Sequence, residues 1–455
     1  MTRNYDKKKI HKDIYKLAWP SITEQLLIMM VGMVSTIFVG RIGKETIAAV
    51  GMVNMLMFFF QTVFSGLATG STVVIARVIG EGERHKAKIA LIQSLFMSLI
   101  AGIAITAFGY AVAKPMIKLF FYSAEPQVFD IALKFYRMVL IGLPFMVLDM
   151  VIAGSLRGAG DTKTPMYVTI IVNIINLVLS SILIFGVKFD GRILVPAYGV
   201  VGTAIAVNTA RISGGLIRVL VLYLGKGKLS LSKKDKYVLD KEMMKRIVNV
   251  GLPAFLEQVI MQGGFLIMQV LVVSMGTVSA AVYQVGVNVN SLAFMPIFGF
   301  AIAATTMVGQ NLGKQNYEEA EIYAFETNKI AIIIITILGA LMFIFAKPLA
   351  MLYSNDVEVV NASISVIRIF AVLEPFLGVM NVCAAVLRGA GDIKYIMYTA
   401  VVGLWLFRIA IAFSLQHFLN LGIYSVMIGV CFDFGIRAIM YGFRTKAGKW
   451  KYLKV

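Results

Sequence analysis

Twelve apolar runs succeed one another along this chain, each about twenty residues or longer. A run of that length crosses the ~30 Å hydrocarbon core of a bilayer as a helix, which satisfies every backbone N–H and C=O within the segment. The runs fall near 14–39, 46–76, 89–113, 128–156, 165–187 and 197–225, then near 246–274, 278–309, 322–346, 357–387, 395–417 and 421–443. The longer ones must tilt or protrude. With 59% hydrophobic and only 15% charged residues, and a mean hydropathy of +0.83, the chain lacks the polar surface of a water-soluble domain. The expected fold is an all-α membrane protein of about twelve transmembrane helices.

The charges orient these helices. The net charge is +19, a balance that in a soluble protein would suggest nucleic acid. With the N-terminus inside, however, the inward segments hold 27 of the 43 Lys and Arg residues and the outward loops hold 7. That bias is the positive-inside rule, and it places both termini in the cytoplasm of a multi-pass protein of the cell's inner membrane, with no call on nucleic acid. The N-terminal Arg3, Lys7, Lys8, Lys9 and Lys12 resemble the basic region of a signal peptide. No small-residue cleavage site follows, and the run from Ile14 is too long for a removable signal, so it reads as the first span. The longest basic stretch, Lys226 to Arg246, reads as a linker lying against anionic lipid headgroups. The expected organisation is an N-terminal six-helix lobe over 1–225, a cytoplasmic basic linker over 226–245, and a C-terminal six-helix lobe with a cytoplasmic tail over 246–455.

The two lobes are a duplication. LRGAGDTKTPMY begins at Leu156 and LRGAGDIKYIMY at Leu387, with nine of twelve positions identical. Pro144-Phe145 answers Pro375-Phe376 at the same offset. Upstream, Pro20, Glu24, Gln25, Gly43, Gly66 and Gly80 correspond to Pro253, Glu257, Gln258, Gly276, Gly299 and Gly313. Chance does not give so collinear a set. An even number of helices per unit makes the repeats parallel, an arrangement common in secondary transporters whose substrate sits near mid-membrane. A pore is the other use of such a bundle, but no ring-forming filter segment is present.

The ordered set of repeated pieces resembles the multidrug and toxic compound extrusion (MATE) family over nearly the whole chain. Its parts are STIFVGRIG after Pro20, GLATGSTVVIARVIGEG from Gly66, LRGAGDTKTPM, GLPAFLEQ at 251–258, FGFAIAATTMVGQNLG at 298–313, and the second LRGAGD. The resemblance implies proton- or sodium-coupled export of amphipathic, often cationic, small molecules by alternating access, with no cofactor beyond the coupling ion. The rival superfamily with two parallel six-helix halves carries a basic loop signature that GRIGKET at 40–46 lacks. Three departures from the resemblance stand out. Ser35 occupies the position where many relatives have Asp in helix one. Asn173 and Asn176 are present in helix five, but Ser180 replaces the Asp that usually follows them. Met261 stands where some relatives carry a helix-seven carboxylate.

The remaining ionisable residues inside the spans are functional candidates, because a charge in the bilayer is costly unless it is paired or faces a cavity. Glu24 and Glu257 lie about ten residues into the expected first and seventh helices, roughly 15 Å deep and near the midplane, where a carboxyl group suits proton binding and release. A permanent pairing with Arg211 or Arg408 is the structural alternative. Glu374, beside Pro375, and Arg408 are a second candidate couple that a proton could break. Asp433 and Arg437, four apart on helix twelve, should pair along one face. Arg157 with Asp161, and Arg388 with Asp392, could hold the two LRGAGD turns. Gln25, Gln258, Gln284 and Asn288, with Ser35, Asn173, Asn176, Ser180 and Met261, are candidates to line a substrate cavity. Cys383 and Cys431 sit in apolar runs, and His11, His85 and His417 are far apart, so metal chemistry is not expected. The expected working form is a monomer whose partners are a small amphipathic molecule and membrane lipids. Two alternatives are a flippase of lipid-linked oligosaccharide precursors, within the same superfamily, and a membrane-embedded enzyme, for which no catalytic cluster is visible.

Overall fold

The computed structural model describes residues 6–120, 125–190, 192–225, 229–232, 234–235 and 237–453. Of the basic residues that orient the chain, Arg3, Lys226, Lys228, Lys233, Lys236 and Lys454 lie outside the described residues. The first half of the sequence forms α1 (Lys7–Gly40), α2 (Lys44–Gly80), α3 (Arg84–Ala111), α4 (Ala113–Phe120), α5 (Pro126–Leu140), α6 (Leu143–Gly158), α7 (Lys163–Phe185) and α8 (Gly199–Leu224). The second half forms α9 (Lys241–Ser274), α10 (Thr277–Gly313), α11 (Tyr317–Ile344), α12 (Ala346–Met351), α13 (Val357–Ala390), α14 (Ile393–Ala400), α15 (Ala410–Leu419) and α16 (Ile423–Lys446). Among the described residues, eleven helices are long and apolar enough to cross a membrane when α14 to α15 count as one, and twelve when α5 and α6 are joined. Their outward faces keep large apolar side chains such as Phe108, Leu220, Phe343 and Ile439 exposed, the surface that acyl chains cover.

The chain gathers into two compact units that interleave in sequence. One holds Met1–Ile22, Ala76–Gly82 and Leu252–Val455; the other holds Thr23–Ile75 and Glu83–Gly251. The opening turns of α1 thus belong with the C-terminal helices and the opening turns of α9 with the N-terminal ones. Ile14, Leu17 and Ala18 are buried in the core that contains Phe300 and Ile297, and a Cβ on Gly299 would stand 2.5 Å from the Ala18 carbonyl oxygen. In the other unit a Cβ on Gly70 would stand 2.8 Å from the Ile247 carbonyl oxygen. Of these two glycines Gly299 has a counterpart in the repeat, Gly66, while the position matching Gly70 is Ala303.

Three local features depart from the uniform helices expected. The fourth span is broken into α5 and α6, bent by 50°. Pro144 supplies no N–H to the Leu140 carbonyl, and Thr106 Oγ1 donates to that carbonyl at 3.4 Å instead; Gly142, at a φ of −80°, leaves room for Asn208, whose Oδ1 a Cβ would approach to 2.6 Å. The matching Pro375 follows Leu373-Glu374 without a glycine, and α13 runs through it. The eleventh span carries a π-helical segment, Val401–Ile409, between α14 and α15. The short connection between α7 and α8 is a hairpin, β1 (Val187–Phe189) against β2 (Arg192–Val195), opened by Asp190 at a φ of +50°. Its Asp-Gly pair is a common sequence signal for such a turn.

The LRGAGD motif does the same work twice. A Cβ on Gly158 would lie 2.4 Å from the Thr72 carbonyl oxygen, and one on Gly389 2.5 Å from the Thr305 carbonyl oxygen. Gly160 and Gly391 both turn the chain at a φ of +85°. Gly389→Ala is therefore expected to lower stability by about 1–3 kcal/mol through overpacking. The thermal midpoint of the detergent-solubilised protein reads this, and an unchanged midpoint would show that α10 and α13 can move apart freely.

Candidate functional site

The C-terminal unit contains a cavity of about 510 Å³ built by α9, α10, α13, the π-helical segment and α16. From α9 come Glu257, Gln258, Met261 and Phe265, one per turn or so along a single face. Gln284 and Tyr283 enter from α10, Asn381 and Arg388 from α13, Arg408 from the π-helical segment, and Arg437 from α16. The rest of the wall mixes aromatic side chains, such as Phe294, Phe298 and Phe370, with the aliphatic Leu377 and Met380 and the amides Gln262, Gln269 and Asn290. Five of the residues singled out in the sequence thus meet in one place: Glu257, Gln258, Met261, Gln284 and Arg408.

The charges are arranged differently from the sequence expectation. Glu257 pairs with Arg388, whose Nη2 donates to Oε1 at 2.5 Å, and not with Arg408. Glu24, in the other unit, pairs with Arg157 at 3.0 Å, and not with Arg211. The two pairs are equivalent positions of the repeat, with each first-helix carboxylate taken by the arginine of LRGAGD. The helices begin at Lys7 and Lys241, earlier than expected, and Arg157 and Arg388 stand in the last turns of α6 and α13. Thr169 Oγ1, six residues into α7, lies 3.2 Å from Glu24, and Arg218, six residues before the end of α8, lies 3.8 Å from it. Glu24 therefore sits ~9 Å along the axes from those ends of α7 and α8.

Because the arginines reach out to glutamates, the motif aspartates have other roles than pairing with them. Asp161 caps α7 by accepting from the Thr164 amide at 3.0 Å and the Thr164 hydroxyl at 2.6 Å. Asp392 accepts from Arg444 Nε at 2.7 Å. The expected Glu374–Arg408 couple does not form. Glu374 is fully buried with neither oxygen hydrogen-bonded, while Arg408 lies 3.6 Å from Asp433 and donates to the Tyr283 hydroxyl at 3.2 Å. Asp433 and Arg437 do pair, at 2.5 and 2.7 Å.

The N-terminal unit holds a cluster of balanced charge. Arg218 binds Asp149 and donates to Thr169 at 3.0 Å, beside the Glu24–Arg157 pair. Ser180 is buried and 3.4 Å from Asn176; Asn173 is half-buried with Nδ2 unpartnered; Gln25 and Ser35 are half-buried on α1. Asn288 bonds Gln284 at 3.1 Å but does not reach the cavity wall. Sequence reasoning passed over Asp149, Arg218 and Tyr283, and treated Arg388 and Arg437 only as partners of nearby aspartates. The available signal was simple: Asp149 and Arg218 are ionisable residues within apolar runs.

A membrane bundle duplicated in sequence, with a polar and aromatic cavity inside one unit, is the build of a transporter. The MatE family profile matches residues 20–182 and 253–414, and the chain belongs to that family. It is a transporter and not an enzyme. It is 29% identical to the probable multidrug resistance protein NorM of Thermotoga maritima over 97% of this chain and 94% of that protein. It is 25% identical to the multidrug resistance protein MdtK of Yersinia pseudotuberculosis over 87% of this chain and 85% of that one. Among solved structures, an outward-facing multidrug resistance MATE family transporter matches with a TM-score of 0.87 at 25% identity, covering 97% of both chains.

Proposed function

We propose that this protein is an ion-coupled antiporter of the inner membrane that exports amphipathic, cationic small molecules by alternating access. The observation that carries the reading is the position of Glu257. It lies on the cavity wall, 6% exposed, with Oε1 held by Arg388 and Oε2 buried without a hydrogen-bond partner. That oxygen can accept either a coupling proton or sodium ion, or the cation of a cargo, and occupancy by one opposes the other. Exchange of this kind moves cargo only if the inward- and outward-facing states differ in affinity for it. The multidrug resistance names of the relatives support the same reading. The cavity aromatics, among them Phe265, Phe294, Phe298 and Phe370, suit flat apolar cargo.

The experiment is binding of a lipophilic aromatic cation to the purified protein across pH and sodium concentration. Affinity is expected to fall as pH drops or as sodium rises, and indifference to both would remove the exchange. The direction of export follows from the topology, both termini in the cytoplasm, supported by the skew of Lys and Arg. With Cys383 and Cys431 replaced, Ser232→Cys is expected to react with an impermeant thiol reagent only when the cytoplasmic face is open. Labelling in intact cells would invert the orientation.

A further inference from the structure

The chain between α8 and α9 is bound down onto the N-terminal unit and is no loose tether. Leu229 and Leu231 are buried, and the Leu231 amide donates to the Leu222 carbonyl at 2.8 Å. The hydroxyls of Tyr237 and Tyr223 meet at 2.8 Å. Gln93, wholly buried on α3, donates from Nε2 to the Val238 carbonyl at 2.8 Å, and Lys88 Nζ reaches both oxygens of Asp235 at 3.3 Å. These bonds hold Val238 and Leu239 in place with 67% and 59% of their surface exposed. A cleft of about 420 Å³ lies between this segment and α3. Ile89, Ile92, Val238 and Leu239 give it an apolar side, while the exposed His85, Lys241 and Glu242 give it a polar one.

Position and charge define what fits there. α8 ends at this cleft and α3 and α9 begin at it, so it stands where three membrane-crossing helices reach the lipid headgroups. Most of the carboxylates nearby are already engaged. Glu83 pairs with Lys86 at 3.5 Å, Asp235 pairs with Lys88, and Asp240 accepts from the Met243 amide at 2.9 Å. Among the described residues of 83–88 and 234–245, Arg84, Lys234, Lys241 and Lys245 form no ion pair, and Glu242 is the one carboxylate left over. The surface is cationic as a result. We propose that the cleft binds an anionic phospholipid of the surrounding bilayer, its phosphate at Lys241 and His85 and its upper acyl chain along Ile89, Ile92, Val238 and Leu239. Cations beside a membrane attract anionic lipid, and acyl chains over Val238 and Leu239 remove apolar surface from water. A neutral lipid meets only the second demand, and free phosphate only the first. The headgroup contact expected along the whole linker thus narrows to one cleft.

The test uses the full-length protein in phosphatidylcholine nanodiscs, with Cys383 and Cys431 replaced and Leu239→Cys carrying a nitrobenzoxadiazole fluorophore. Quenching is compared for equal fractions of doxyl-labelled phosphatidylglycerol and doxyl-labelled phosphatidylcholine. Phosphatidylglycerol is expected to quench at the lower concentration, and Lys241→Gln to cut that preference about fivefold. Salt at ~1 M should remove it. Lys241 is exposed, so its substitution leaves the fold intact. The unlabelled protein gives a second reading: phosphatidylglycerol added in detergent should raise the thermal midpoint of the native chain more than that of Lys241→Gln. Equal quenching by the two lipids overturns the anionic assignment, and water-like emission quenched by neither overturns the site. A preference untouched by Lys241→Gln and by salt, or quenching abolished by glycerol phosphate, overturns the proposal as well, since the lipid would then bind elsewhere or the ligand would be a free phosphate.

Discussion

Glu257→Gln is expected to abolish gradient-driven export while leaving a folded protein that still binds cargo. The amide oxygen of Gln can still accept from Arg388, which in the native protein donates to Glu257 at 2.5 Å, so the cavity wall is kept. What would disappear, on the exchange proposed above, is the charge for which coupling ion and cargo cation compete. Without it, ion binding no longer opposes cargo binding, and the coupling free energy between them goes to zero. Export should fall at least tenfold, to the rate seen without a gradient. Transport at the wild-type rate would make Glu257 a structural residue, and attention would pass to Glu374, the fully buried carboxyl on α13 with no hydrogen bond.

The second large effect concerns stability. Asp433 is fully buried and is the carboxylate partner of both Arg437 and Arg408. Removing one member of a buried ion pair typically costs about 3–5 kcal/mol, because the partner's charge stays buried without compensation. Asp433→Asn leaves two such charges and should show the full cost as a large drop in thermal midpoint in detergent. Lys44→Ala is the control. It removes an exposed pair with Glu45 at 3.8 Å, and surface pairs contribute about 0–1 kcal/mol. Equal effects of the two substitutions would mean that the Asp433 cluster is hydrated and open, contrary to its burial.

The spans were legible in the sequence because lipid permits few solutions: a run of about twenty apolar residues must satisfy its own backbone, and a helix does so. The duplication was legible because LRGAGD serves the same geometry twice. Its arginine meets a first-helix glutamate, one glycine admits a neighbouring backbone, and the next turns the chain. The break at Gly142 was harder to read, since Pro144 and Pro375 look alike, yet the chain bends before one and α13 runs straight through the other. The hairpin at 187–195 is too short to show a pattern, though its Asp-Gly was visible.

Partner choice among buried charges was the least legible part. Arg388 and Glu257 are 131 positions apart, and nothing local selects them over Arg408. The repeat itself held the missing information. Glu24 and Glu257 correspond, as do Arg157 and Arg388, so a pair formed in one half was to be expected in the other.

The most direct test of ion-coupled antiport is export in proteoliposomes of defined orientation. A lipophilic aromatic cation is supplied on the cytoplasmic face, and a proton gradient and a sodium gradient are imposed in turn. Antiport predicts that one of the two drives the probe to the opposite side beyond its equilibrium distribution, and that an ionophore dissipating that gradient, or Glu257→Gln, cancels the excess. Equilibration that stops at equal concentrations under both gradients would contradict it.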